Sequence, residues 1–400
     1  MSRLCCPACG ACAPAATLDA ACACGALFDV EHEGPPPARE SFDRAPEAGV
    51  WRFAAVVDPA APRAERVSLA EGDTPLLASA ALARFAGVEH LAFKHEGRNP
   101  TGSFKDRGMT VAVARARAAG AQLLACASTG NTAASLAAYA GAAGLPCAVL
   151  APEHGTAQGK LSQALAHGAR TVLLRGDFDD GMRLIFELAR EGRCALLNSA
   201  NPWRLEGQKT LVLEILRERR WSPPDWIVFP AGNLGNCAAF GQALALALEA
   251  GWIPWAPRLA AVQAAGAAPF AAAFERGFDR LIPVRAATYA TAIKIGAPVS
   301  YARAVRSLRL TNGVALSVTD DEMRAAKRAI DRAGLGAEPA SAASLAGART
   351  LVERGFIRPE DDVVCVLTGH ILKDPEANQA EARPVVADAN RAAIERALFH

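Results

Sequence analysis

The 400 residues, 51% hydrophobic and 21% charged, suit a folded chain of two or three domains and exclude a disordered or fibrous one. Aromatics make up only 6%, so the core is expected to rest on alanine, leucine and valine. The 43 basic and 41 acidic side chains leave a formal charge of +2, which argues against a general binder of polyanions.

Six of the eleven cysteines, Cys5, Cys6, Cys9, Cys12, Cys22 and Cys24, crowd the first 24 residues, where no apolar run has signal-peptide length. Without a secretory signal a disulfide framework is not expected. Cys6-x-x-Cys9 and Cys22-x-Cys24-Gly25 resemble two metal knuckles, because tetrahedral zinc takes two close thiolate pairs on tight turns. The second pair is one residue tighter than usual, and a metal-free cysteine-rich appendage stays open. Residues 1–60 carry four basic and eight acidic side chains, the wrong sign for a nucleic-acid backbone. Gly34-Pro-Pro-Pro37 reads as a stiff linker.

From about residue 85, short apolar runs alternate with alanine-rich helical stretches. Leu123–Ala127, Cys147–Leu150, Thr171–Leu174, Asp225–Phe229 and Val363–Leu367 are predicted as buried strands of an α/β protein with mostly parallel sheets. Strand order is not derivable from such runs. No charged residue occurs from Ala118 to Pro152, but Ser128, Thr129, Asn131 and Thr132 interrupt that stretch. A strand, polar loop, helix and second strand fit it better than a membrane span. The expectation is a soluble, cytoplasmic protein.

His95-Glu-Gly-Arg-Asn-Pro-Thr-Gly-Ser-Phe-Lys-Asp-Arg-Gly108 is the most informative stretch. Pro100 and Gly102 end what precedes, and Ser103 with Asp106 is predicted to cap a helix. Lys105 then falls in the first helical turn, where the macrodipole disfavours an ammonium and favours the neutral amine that attacks an aldehyde. Ser128-Thr-Gly-Asn-Thr132 follows a strand and opens a predicted helix over 133–143. Its amides and hydroxyls suit a carboxylate, or serve only to cap the helix. Ala231-Gly-Asn-Leu-Gly-Asn236 stands between a strand and a helix from Cys237, the geometry of a phosphate cradle, although it is neither a dinucleotide fingerprint nor a P-loop. A reactive lysine, a carboxylate loop and a phosphate cradle together suggest pyridoxal phosphate and an amino acid.

From Glu71-Gly-Asp-Thr-Pro-Leu76 to Lys373-Asp-Pro375 the chain resembles the threonine synthases, within the tryptophan-synthase-β-like (fold type II) pyridoxal phosphate enzymes. The lysine motif and phosphate loop are shared across that fold type. Arg204-Leu-Glu-Gly-Gln-Lys-Thr210 and Leu367-Thr-Gly-His370 point more narrowly to the threonine synthases. The resemblance implies a two-domain α/β enzyme with mostly parallel open sheets and a short cysteine-rich N-terminal knuckle. Residues 1–34 would form a zinc-ribbon-like segment, 35–99 with 200–400 a larger cofactor-binding domain, and 100–199 a smaller mobile one. Lys105 would form the Schiff base, Asn131 would meet the ring hydroxyl, Gly232, Asn233, Leu234, Gly235 and Asn236 would hold the cofactor phosphate, and Thr368 would face the pyridine nitrogen. Ser128, Thr129 and Thr132 would bind substrate, with Ser199 and Arg204 gripping its phosphate. Cys6, Cys9, Cys22 and Cys24 would be the ligands of any zinc.

The implied reaction turns O-phospho-L-homoserine and water into L-threonine and phosphate in a cytoplasmic homodimer. Thr368 poses a question, since a neutral hydroxyl supports a protonated pyridine nitrogen less than a carboxylate would, yet the reaction needs a strong electron sink. Lys294, Ala297 and His95 depart from the family pattern, and a structural role is expected for His95. The rival readings are a serine or threonine ammonia-lyase, a sulfite-using cysteate synthase and a non-catalytic scaffold. The ammonia-lyase needs no second anion site, so Ser199 and Arg204 discriminate against it.

Overall fold

The computed structural model describes residues 2–153, 158–176, 178–379 and 384–399. At the N-terminus, β1 (Ser2–Cys5), β2 (Cys12–Pro14) and β3 (Asp29–His32) make an antiparallel sheet in the order β2-β1-β3. Asp29 pairs with Arg303 and Arg306, and His32 Nε2 lies 2.8 Å from the buried Glu206 carboxylate, so β3 pins this small sheet to the main body.

Two larger sheets follow. β4 (Leu76–Ala78) and β5 (His90–His95) join β10 (Trp226–Pro230), β11 (Arg258–Ala264), β12 (Val314–Val318) and β13 (Asp362–Leu367) in the order β12-β11-β10-β13-β5-β4. All neighbours in this sheet run parallel except β4 and β5. β6 (Leu124–Ala127), β7 (Cys147–Pro152), β8 (Arg170–Leu174) and β9 (Ala195–Leu196) form a parallel sheet in the order β8-β7-β6-β9. The five predicted strands are all present, shifted by at most two residues. Ile227 and Phe229 of β10 pack into one apolar cluster, Trp226 and Val228 into another on the opposite face. Burial on both faces is why these strands read as unbroken apolar runs. The uncharged stretch resolves into β6, the helix Asn131–Ala143 and β7. No helix among the described residues is long and apolar enough to cross a membrane.

Two helices fix the geometry beneath the site. The lysine helix, Lys105–Ala118, crosses the helix Pro202–Glu218, here the arginine helix, through two glycines. A methyl group at Gly108 would lie 2.7 Å from the Arg204 carbonyl oxygen, and one at Gly207 would fall inside the Arg107 carbonyl. Asn201 caps the arginine helix by accepting from Trp203 N at 3.0 Å, and Pro202 occupies its first turn. The crossing buries Arg107, which meets Glu96 through Nε at 2.6 Å and Glu214 through Nη1 and Nη2 at 2.7 Å each. Lys94 joins the same network, 3.0 Å from Glu214.

The capping prediction for the lysine helix needs correction. Ser103 does not cap it: its hydroxyl is buried without a partner, and Phe104 holds the cap position. Asp106 instead accepts from the Thr101 amide at 2.7 Å and its hydroxyl at 2.6 Å, closing the turn one step earlier. The Pro100–Gly102 bend turns Thr101, rather than Ser103, toward the carboxylate.

Candidate active site

The parallel strands point their carboxyl ends at one cavity of about 480 Å³. β6 ends at Ala127 and delivers the 128–132 loop, β10 ends at Pro230 and delivers the 231–236 loop, and β13 ends at Leu367 and delivers Thr368. Open α/β sheets bind ligands at that edge. Lys105, Ser128, Thr129, Asn131, Thr132, Ser199, Gly232 through Asn236 and Thr368 all line the cavity, so the structure brings together nearly every residue the motifs suggested. Arg204 is the exception. It is not a lining residue but lies fully buried, with Nη1 3.3 Å from the Leu197 carbonyl.

Lys105 is the first residue of its helix. Burial lowers its ammonium pKa to about 7; the Arg204 guanidinium acts in the same direction and the Glu338 carboxylate against it. The helix position is as predicted, but burial rather than the macrodipole is the leading cause. An amine that is substantially neutral near pH 7 is nucleophilic toward an aldehyde.

The two loops present open helix starts. The helix Asn131–Ala143 begins after Gly130, and the helix Gly235–Glu249 after Leu234, which is itself left-handed (φ 64°); neither has a side-chain cap. Uncapped first-turn amides make an anion site. At Gly232 a Cβ would come within 3.2 Å of Ile293 Cα, so a side chain there would press on the 291–295 wall of the cavity. Asn236 is engaged sideways, its Oδ1 accepting from Gln208 Nε2 at 2.8 Å.

Arg204 is the electrostatic oddity of the site. Its Nε and Nη2 have no hydrogen-bond partner among the described residues, and burial lowers its pKa to about 10. A buried guanidinium with idle donors is costly unless an anion completes it. The donor set therefore fits a cofactor with an aldehyde and a phosphate, together with a second anion: a neutral amine, a glycine-walled helix start and a buried cation with free hydrogen bonds.

Motif reading gave no role to several residues that shape the site. Glu338 is buried against the cavity, accepting from Asn131 Nδ2 at 2.8 Å and from Thr368 Oγ1 at 2.9 Å. Burial raises its pKa, opposed by those two hydrogen bonds and then by Lys373 and Lys105. In the sequence Glu338 opens a stretch that carries the resemblance, Glu338-Pro-Ala-Ser-Ala-Ala-Ser-Leu345, which by itself assigns it no role. Arg107, Glu96 and Glu214 hold the lysine helix from behind. His95 is buried with Nε2 2.8 Å from the Leu335 carbonyl.

The family model for "Pyridoxal-phosphate dependent enzyme" matches residues 67–369. The chain belongs to that family. It is 42% identical over 383 residues to a threonine synthase of Methanocaldococcus jannaschii, covering 94% of each chain. A threonine synthase of Methanosarcina acetivorans is 45% identical over 353 residues, covering 88% of this chain and 86% of its own. Among solved structures, threonine deaminase isoform 2 of Solanum lycopersicum aligns with a TM-score of 0.67 at 19% identity, covering 87% of this chain and 90% of its own. That likeness shows the fold alone, the fold type II architecture of mixed α/β layers expected from the motifs. Family membership makes pyridoxal phosphate the cofactor of this protein.

The N-terminal cysteines form a second cluster. The Sγ atoms of Cys6, Cys9, Cys22 and Cys24 all lie within 4.8 Å of one another. Gly10 and Gly25 take φ of 76° and 90° and donate back to the Cys6 and Cys22 carbonyls at 2.9 and 2.8 Å, folding each pair into a tight turn. No disulfide framework is expected from the sequence, but Cys5 and Cys12 are paired in a disulfide. They face each other across β1 and β2, a proximity that their separation in sequence does not disclose.

Proposed function

We propose that this chain is a threonine synthase, a lyase that converts O-phospho-L-homoserine and water into L-threonine and phosphate in threonine biosynthesis. The identity of 42% to 45% with curated threonine synthases over most of the chain supports the reading. The structural observation that carries it is Arg204, a buried cation with two idle donors beside the lysine cavity. With its carboxylate seated on the 128–132 loop, an unphosphorylated hydroxyamino acid has no second anion to give such a group, whereas a phosphate accepts several charge-assisted hydrogen bonds at once.

In this reading Lys105 tethers the cofactor, the amides of 232–236 hold its phosphate, Asn131 meets its ring hydroxyl and Thr368 its ring nitrogen. When bound, pyridoxal phosphate supplies an electron sink for the amino acid. The 128–132 loop seats the substrate carboxylate through Ser128, Thr129 and Thr132. Ser199 and Arg204 hold the substrate phosphate, orienting the γ carbon from which it leaves. Lys105 Nζ, poised near neutrality, moves protons at the substrate's α and β carbons. Water adds at the β carbon, so phosphate out and water in balance the reaction.

We further read the protein as a cytoplasmic homodimer in which residues 100–199 form a smaller mobile domain against 35–99 with 200–400. Zinc is the proposed ion for Cys6, Cys9, Cys22 and Cys24. A tetrahedron of sulfurs about 2.3 Å from zinc has edges of about 3.8 Å, and the Cys6–Cys24 and Cys9–Cys22 sulfurs are 3.5 and 3.6 Å apart. One zinc per chain by elemental analysis, lost in Cys9→Ser, is the expected result.

The test of function is phosphate release from O-phosphohomoserine beside O-phosphoserine, with serine and threonine deamination measured in parallel. The reading predicts that O-phosphohomoserine is turned over by far the fastest. Faster deamination of serine or threonine would favour the ammonia-lyase instead.

A further inference from the structure

The segment that carries Ser199 and Arg204 has two faces. On one, Asn198 and Ser199 line the cavity. On the other, Leu197, Asn201 and Trp203 meet Thr17 and Leu18 of the N-terminal region around a void of only about 10 Å³, room for one water at most. Leu4 and Phe28 of the same region belong to the buried apolar cluster that includes Leu197 and Trp203. The residues backed in this way are those that hold Arg204. Its amide donates to the Asn201 carbonyl at 3.3 Å, and its Nη1 lies 3.3 Å from the Leu197 carbonyl.

A polar contact completes the backing. His32, the last residue of β3, is held at both ring nitrogens: Nδ1 lies 2.8 Å from the Ser2 hydroxyl and Nε2 2.8 Å from the buried Glu206 carboxylate. Asp29, at the other end of β3, is fixed by Arg303 and Arg306, so the strand that carries His32 is itself anchored. Glu206 follows Arg204 by two positions, about 200° round the helix axis, and the two side chains leave the arginine helix on nearly opposite faces. A shift at Glu206 therefore turns Arg204. A guanidinium lies about 6 Å or more from its helix axis, so a turn of about 10° moves it by about 1 Å. Misplacement by about 1 Å costs up to about a hundredfold where geometry decides the rate.

On the reading that gives Ser199 and Arg204 to the substrate phosphate, we propose that the N-terminal sheet is the backing of that phosphate site. His32 and Leu18 are positioning residues, acting on Arg204 and Ser199 through the 197–206 segment. The sheet lines no part of the cavity, whose cofactor and carboxylate loops are delivered by β6, β10 and β13. Its effect falls on the second anion alone.

The full-length protein loaded with pyridoxal phosphate is titrated with two probes, and binding is read from the cofactor's absorbance. One is 2-amino-5-phosphonopentanoate, in which a methylene replaces the ester oxygen of O-phosphohomoserine, so no phosphate can leave. The other is norvaline, the same carbon chain without the phosphonate. His32→Ala and Leu18→Ala should each weaken the phosphonate by about tenfold or more and leave norvaline binding unchanged. His32→Gln, whose amide still offers Glu206 a donor, should bind both probes as the wild type does. Equal weakening of both probes, unchanged phosphonate binding in either alanine variant, or a His32→Gln protein no better than His32→Ala overturns the proposal. Arg204→Met separates that failure from failure of the reading beneath it. If Arg204→Met binds the phosphonate as tightly as the wild type, Arg204 does not hold the substrate phosphate and both fall. If it binds the phosphonate weakly, a failure in the alanine variants sinks the backing role alone.

Discussion

Replacing Arg204 by methionine keeps the volume of a buried side chain and removes its charge. In the native protein only Nη1 is engaged, 3.3 Å from the Leu197 carbonyl, while Nε and Nη2 are idle. Hydrogen bonds to a charged group contribute about 1.5–3 kcal/mol each, so two of them to a substrate phosphate amount to about 3–6 kcal/mol. With a factor of ten for every 1.4 kcal/mol, kcat/KM for O-phosphohomoserine should fall by about two to four powers of ten. Any slow deamination of serine or threonine, which carry no phosphate, should change little. Stability should change little: the lost bond to Leu197, also from the charged guanidinium, costs about 1.5–3 kcal/mol, and removing an unpaired buried charge offsets it. The assay is phosphate release and deamination on one preparation, with Tm measured alongside. An equal loss on both substrate types, or a collapse in Tm, would show that Arg204 is structural and refute the reasoning.

Gly207→Ala should prevent native packing or lower Tm steeply, because a methyl group there meets the Arg107 carbonyl at the helix crossing; thermal unfolding of Gly207→Ala beside Gly141→Ala, a helical position whose added methyl comes no closer than 3.9 Å to its neighbour, checks it. Arg107→Met should cost about 3–5 kcal/mol by stranding Glu96 without its cation and leaving Glu214 with Lys94 alone, read as a lower denaturation midpoint. Lys105 gives a pH signature in the cofactor-free protein. Its native pKa of about 7 lies below the ordinary 10.5, so the unfolded chain binds a proton that the native one has released. Between those values the penalty on the native state is relieved as pH rises. The urea midpoint of wild type relative to Lys105→Ala should therefore climb from pH 7 to pH 10, and a falling difference would contradict the assigned burial.

What could be read from sequence was local. Pro100 and Gly102 placed Lys105 at a helix start, and the apolar runs gave the strands that end at the cavity, because two-sided burial leaves an unbroken apolar signature. What could not be read depended on distant partners. Arg107 looked like any helical arginine until Glu96 and Glu214, the latter 107 positions away, closed around it. Glu338 opens a stretch that carries the resemblance, yet its role was not legible there, because that role lies in Asn131 and Thr368, which other strands deliver. Ser103 misled because a serine before a helix is a sound local cap, and here a longer turn let Asp106 reach Thr101 instead. The order β12-β11-β10-β13-β5-β4 was closed to short apolar runs, which say that a strand is buried but not beside which neighbour.

The amine of Lys105 is made nucleophilic by burial at the carboxyl edge of the parallel strands. Borohydride reduction of the cofactor-loaded protein, followed by digestion and mass mapping, tests it most directly. The account predicts a single phosphopyridoxyl mass on the peptide containing Lys105. That mass on another lysine, or on none, would contradict it.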